Sequence, residues 1–172
     1  LYGDVQYRHI SYRIKGVNDN WDDTVDAMQP LGVDENYNFF NPKVGVYYDL
    51  GKKVDLYASF AIAHKEPTRN NFTDAKPGAN PRSERLADWE LGATYSGDHL
   101  SANVNFYYMK YKDQLVLTGE VNHIGEALAD NVKDSYRTGI EISTTLQATR
   151  WLRWDANATF SQNRIKDYTE RT

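Results

Sequence analysis

The 172-residue sequence contains no cysteine, which excludes disulfide scaffolds and thiolate metal sites. It also lacks any run approaching the roughly 18 consecutive apolar residues of a membrane helix, and its mean hydropathy is -0.73. Helical spans are therefore excluded, but strands are not, because a membrane-crossing strand needs an apolar residue only at every second position. No basic stripe is visible along the chain, and with a net charge of -4 nucleic acid is not expected as a partner. Histidine is sparse. His9, His64, His99 and His123 lie far apart, and no pair has the i,i+4 spacing of a helical metal site. His64 falls at the top of a strand pattern on its apolar face, and His123 lies in a long loop. There is no nucleophile elbow, phosphate loop or paired helical carboxylates, so neither a catalytic site nor a cofactor is expected.

What the chain does have is a rhythm of two-faced strands. From Lys53 to His64, Val54, Leu56, Ala58, Phe60 and Ile62 share one face, while Asp55, Tyr57, Ser59, Ala61 and Ala63 share the other. Side chains alternate across a strand, so one face is apolar and the other mixed. The same pattern sets Val44, Val46, Tyr48 and Leu50 against Lys43, Gly45, Tyr47 and Asp49, and Trp89, Leu91, Ala93 and Tyr95 against Glu90, Gly92 and Thr94. It recurs with Leu100, Ala102, Val104, Phe106 and Tyr108 against Ser101, Asn103, Asn105 and Tyr107. Ile140, Ile142 and Leu146 then oppose Gly139, Glu141, Ser143 and Thr145. Trp154, Ala156, Ala158 and Phe160 oppose Asp155, Asn157, Thr159 and Ser161. A weaker seventh strand, with Leu1, Val5 and Tyr7 on one face, opens the chain.

The connections fall into two classes. Those at Leu50-Gly51-Lys52-Lys53, Ser96-Gly97-Asp98-His99 and Ala148-Thr149-Arg150-Trp151 are tight, and the first two carry a glycine that suits the positive φ of a hairpin turn. Residues 14–38, 65–85 and 113–135 read instead as long polar loops, all on the other side. Loops beyond about 12–15 residues are uncommon in compact domains and are often functional. This sorting predicts an all-β antiparallel transmembrane barrel, here a fragment of about seven strands, with short turns at one end and long loops at the other. The apolar row (Val46, Tyr48, Leu56, Phe60, Leu91, Val104, Phe106, Ile142, Ala156, Phe160) would face lipid. The polar row (Asn103, Asn105, Glu141, Asp155, Asn157) would face the lumen. Thirteen tyrosines and four tryptophans fit ordinary strand propensity or, better, interfacial girdles, with Tyr48, Trp89, Tyr95, Tyr108, Trp151 and Trp154 near strand ends. An odd strand number cannot close a single antiparallel barrel, so residues 1–172 are expected to be one barrel piece, incomplete at both ends.

Four segments carry a family resemblance. Phe39-Phe40-Asn41-Pro42-Lys43-Val44-Gly45 resembles an F-x-P-K-x-G strand opening. Leu56-Tyr57-Ala58-Ser59-Phe60, running on to Lys65-Glu66-Pro67, resembles L-Y-A-S-[YF] followed by R-E-P, with lysine in place of arginine. Pro81 to Gly92 resembles K-P-E-x-x-x-x-[YW]-E-L-G, with Arg82 and Ser83 standing between the proline and Glu84. Gly139-Ile140-Glu141-Ile142 resembles x-G-[IV]-E-[LIV]. Together, in this order, they resemble the C-terminal part of the barrel of TonB-dependent outer-membrane receptors. The resemblance implies a barrel of about 22 strands with a plugged lumen, of which this chain would be roughly a third, lacking the plug domain and the segment that touches TonB. It implies a bacterial outer-membrane location, lipid and TonB as partners, and active import of an iron chelate such as a siderophore, with glycan or cobalamin import as the near alternative. A soluble β-sandwich binding module is the alternative of another class.

The segment Lys65, Glu66, Pro67, Thr68, Arg69, Asn70, Asn71, Phe72 is the best binding candidate. It would overhang the lumen, and arginine suits anionic groups of a chelate; Lys65, Glu66, Arg69, Asn70, Asn71 and Phe72 are the residues in question. The plainer alternative, a loop whose polar groups make structural contacts, is favoured over it. Asp19, Asp22, Asp23 and Asp26 lack the alternate spacing and central glycine of a calcium loop and read as solvated.

Overall fold

The computed structural model describes residues 1–22, 26–75, 79–122 and 125–166; the side chains of 18–20, 22 and 29 also lie outside the description. The strands are β1 (Tyr2–Asp22), β2 (Ala27–Asp49), β3 (Val54–Lys65), β4 (Glu84–Ser96), β5 (Leu100–Val121), β6 (Ala127–Gln147) and β7 (Arg153–Ile165). They form a single antiparallel sheet in sequence order. β1 and β7 each have one strand neighbour, so the sheet is not closed. One short helix, α1 (Arg69–Thr73), lies between β3 and β4.

Register fixes the faces. Tyr48, Leu56, Ala93, Val104, Ile142 and Ala158 are successive cross-strand partners, and so are Val46, Ala58, Leu91, Phe106, Ile140 and Phe160. On the opposite face run Thr94, Asn103, Ser143 and Asn157, next to Gly92, Asn105, Glu141 and Thr159. The apolar face is not a protein core: Leu91 is 60% and Phe160 69% exposed. The buried apolar side chains, Phe39, Phe72, Leu128 and Val132, all lie toward the end opposite the tight turns. A sheet whose large apolar side chains are turned out requires another partner for that face.

The polar face carries its own packing device. Tyr57 lies across Gly92 and donates its hydroxyl to Asn105 Oδ1, 3.1 Å away and two strands over. A Cβ on Gly92 would sit inside the Tyr57 ring. Tyr2 covers Gly45 and Tyr107 covers Gly139 in the same way. Each ring therefore staples its own strand to the next, and glycine is required beneath it because only hydrogen leaves room.

Two of the three expected long loops are corrected. Residues 14–38 and 113–135 are mostly strand: β1 with β2, and β5 with β6, continue pairing to Asp22↔Ala27 and Val121↔Ala127, with register shifts after Val17 and after Leu117. These strands have 21, 23, 22 and 21 residues, about twice the 9–11 that cross a bilayer. Beyond the apolar band the face that carries Val44 and Val46 turns polar (Gly32, Asp34, Asn36 and Asn38 in β2) and Leu115, Val116 and Leu117 of β5 run consecutively, so the apolar–polar alternation that marks a membrane strand in sequence is lost while the backbone ladder continues. Among the described residues, the long loop is the connection between β3 and β4.

The tight turns hold, with one change of reason. Gly51 has φ 70°, followed by Lys52 and Lys53 at 51° and 72°. Gly97 does not have positive φ; its missing side chain instead leaves space for the Tyr95 ring and the Leu100 carbonyl, which a Cβ would meet at 2.8 and 3.0 Å. The glycine-free third turn is held by Thr149, whose hydroxyl accepts from the Leu152 backbone N–H at 3.0 Å.

Candidate functional site

The loop between β3 and β4 folds back over the polar face. Its chain leaves β3 through Pro67, a fully buried side chain. Thr68 then starts α1, with the Asn71 Oδ1 accepting from the Thr68 backbone N–H (2.8 Å) and hydroxyl (2.7 Å). Phe72, 6% exposed, stacks on Tyr12 of β1 with ring centroids 5.6 Å apart. Glu66 pairs with Arg8 of β1, whose guanidinium also donates to the His64 carbonyl. On the other side Arg82 pairs with Asp113 at 2.6 Å, and Asn131 of β6 bonds both the N–H and the carbonyl of Arg82. The loop is thus fastened to β1 on one side and to the β5–β6 hairpin on the other.

These contacts sort the six binding candidates. Glu66 is used by Arg8, Asn71 by the helix start, and Phe72 by Tyr12, while Lys65 lies 3.7 Å from Glu84. Arg69 and Asn70 are exposed. Asn70 and Asn71, with Asp74, Leu117 and Glu126, line a cavity of about 190 Å³ between α1 and the β5–β6 hairpin. The partners Arg8, Tyr12, Arg82, Asp113 and Asn131 were missed from sequence. Their contacts with the loop span 31 to 60 positions in the chain, and no local pattern marks them.

His64 also departs from expectation. Strand parity puts it on the apolar face, yet its ring stacks on Phe39 (5.2 Å, 3°) and its Nδ1 lies 2.8 Å from Asn41 Oδ1, both polar-face residues of β2. The pairing of β2 with β3 stops at Lys43↔Ala61, next to Pro42, which has no N–H to donate. The ring occupies the splay that follows. The Arg8 guanidinium also lies over the Phe39 ring, 5.2 Å from its centroid, so arginine, phenylalanine and histidine cluster beneath the loop.

The polar row is internally bonded. Asn103 donates to Thr94 Oγ1 (2.8 Å), Ser59 to Glu90 (3.0 Å) and Thr145 to Asp155 (2.6 Å). Arg153 forks onto the same Asp155 carboxylate. On the apolar face Phe60, Trp89 and Tyr108 form a row of rings 5.1 and 5.7 Å apart, and Tyr136 extends it. Tyr48, Tyr95, Trp151 and Trp154 collect near the tight turns, so the aromatic residues make two belts. Among the described residues no group of three or more His, Asp or Glu could hold a metal ion. His123 and Asp23, and the side chains of Asp19 and Asp22, lie outside that description.

The profile of the family described as TonB dependent receptor-like, beta-barrel, matches residues 4–172. No curated protein matches the sequence. Among solved structures, the copper transporter OprC superposes with a TM-score of 0.77 at 19% identity, over 95% of this chain and 26% of that one. The FrpB iron transporter from Neisseria meningitidis (F3-3 variant) gives 0.66 at 17% identity, over 95% and 23%. The siderophore receptor PirA from Pseudomonas aeruginosa gives 0.65 at 17%, over 95% and 32%. The chain thus spans about a quarter to a third of the structures it matches, and at these identities the likeness is one of fold.

Proposed function

Because this chain belongs to the TonB-dependent receptor β-barrel family, we propose that it is part of the barrel wall of a bacterial outer-membrane importer that takes up an iron chelate such as a siderophore, energised through TonB. The observation that carries this reading is the sheet itself. One face is apolar and exposed across successive strands, the other is a bonded polar network, and strands of more than 20 residues project from one end only. We assign the apolar face to lipid, the polar face to a plug-filled lumen, and the projecting end to the outside of the cell. A two-sheet sandwich is disfavoured, since the seven strands form one sheet.

Iron chelates rank first among cargoes because iron and siderophore transporters recur among the similar structures, while the copper transporter keeps another metal in view. Glycan or cobalamin import stays the alternative within the class. In the loop, Arg69 and Asn70 are the side chains left to meet an anionic chelate arriving from outside. The test is uptake of radiolabelled ferric siderophores by cells with and without the full-length gene, in backgrounds with and without TonB. TonB-dependent accumulation that disappears with the gene is expected. Unchanged iron uptake together with lost copper or cobalamin uptake would overturn the cargo, and loss of no uptake would overturn the importer reading.

A further inference from the structure

Read along the chain, the sequence has no basic stripe; read across the register, it has one. On the apolar face, the row above Phe60–Trp89–Tyr108 runs Ala87, Lys110, Tyr136, Arg164, and the row above that runs Arg85, Lys112, Asp134. Arg85, Lys110 and Lys112 are all exposed, and none is within ion-pair distance of a carboxylate among the described residues. Arg85 stands directly opposite Lys112. Like charges facing each other across a strand pair destabilise a sheet unless an anion lies between them. The two-residue step places Lys110 about 7 Å along the strand from Lys112, within one headgroup's reach. Asp134, beside Lys112, is the one acidic residue in these rows.

We infer that Arg85, Lys110 and Lys112 form a docking site for a phosphate-bearing lipid headgroup at the outer edge of the apolar band. The inference rests on the membrane-barrel reading above. Three features commit the site to lipid. The cations sit on the face whose apolar side chains are turned out. Trp89 and Tyr108, immediately below, have the amphipathic rings that settle where acyl chains meet headgroups. Charge complementarity then supplies the rest: clustered Lys and Arg beside an apolar membrane-facing surface recognise anionic headgroups, and arginine holds phosphate through paired N–H donors. On the opposite face, Arg8, Arg82 and Arg153 are each tied to a carboxylate and Arg137 lies over the Tyr111 ring.

The test uses the full-length protein in neutral detergent, with lipid A and its enzymatically dephosphorylated form as probes and native mass spectrometry as the readout. The wild type is expected to retain the phosphorylated lipid preferentially. The combined Arg85→Gln, Lys110→Gln, Lys112→Gln variant should lose that preference, at about fivefold per charge removed, and Lys112→Gln alone should show a single such step. Lys43→Gln, on the polar face, should change nothing. Wild-type preference in both the triple and the single variant, or equal retention of the two lipids by the wild type, would overturn the site. Displacement by equimolar inorganic phosphate would also overturn it, by showing that free anion suffices. Failure of the wild type to insert into bilayers would instead sink the barrel reading, and the site with it.

Discussion

Val104 and Asn105 are neighbours in β5, yet they stand on faces of opposite character. Val104 is one of a row of apolar side chains crossing β2 to β7, and is 43% exposed with nothing of this chain covering it. Asn105 accepts from Tyr57 on a face where polar groups bond one another. The difference teaches that the sheet is organised by what lies on each side of it, and has little core of its own. The largest effect should follow from exchanging the environments. Val104→Arg places a charge in the apolar band at about 2–4 kcal/mol near midplane, whereas Asn105→Arg stays on the wet face. In the full-length protein, folding yield in bilayers, read by heat-modifiable gel mobility, should collapse for the first and hold for the second. Equal yields would break the assignment of faces.

A smaller effect should come from the stapling rings of the polar face. Gly92→Val fills the space beneath Tyr57, forcing the ring off and freeing Asn105. Overpacking of this kind costs about 1–3 kcal/mol. Gly3→Val serves as the control on the apolar face, where a Cβ meets only the Lys43 carbonyl at 3.8 Å. Thermal melts should show Gly92→Val lowered and Gly3→Val close to wild type. Combining Gly92→Val with Tyr57→Ala should recover part of the loss, because the clash then has no second party.

How much of this was legible depended on water. Within the apolar band, alternation of Leu100, Ala102, Val104 and Phe106 with polar residues gave strand, face and register parity together. Past that band the signal ended: from Leu31 to Asn38 the face that carries Val44 and Val46 lower down shows only Gly32, Asp34, Asn36 and Asn38, all exposed, and so polar a stretch looks like loop although β2 runs through it. The site fared worse for another reason. Phe72 on Tyr12, Glu66 on Arg8 and Arg82 on Asp113 are contacts made by folding a loop across distant strands. Sequence could nominate the loop, but only the paired sheet beneath it reveals that most of its polar groups are occupied. The basic cluster was hidden likewise, because its charges are scattered in sequence and meet only through pairing.

The smallest effect belongs where the two faces end in common water, at the tight turns. Lys53 Nζ lies 2.7 Å from Asp98 Oδ1, linking the first turn to the second, with side chains 44% and 83% exposed. The hydrogen bond from Lys53, and then its charge, hold the Asp98 carboxyl below its ordinary value of 3.8. The same hydrogen bond raises Lys53 above 10.5. A lowered carboxyl pKa contributes stability that is complete above the ordinary value and is lost as pH falls through the lowered one. A raised lysine pKa contributes stability that is complete below its ordinary value and lost only as pH rises past it. Between those limits the contribution is flat. Solvent screens so exposed a pair, and its effect is correspondingly slight. The difference in melting temperature between wild type and Asp98→Asn should therefore be small near neutrality, shrink with added salt and vanish in acid below the usual carboxylate range. A large, salt-insensitive difference would mean that the turns are shielded from water, and that the contrast between the faces continues beyond the strand ends.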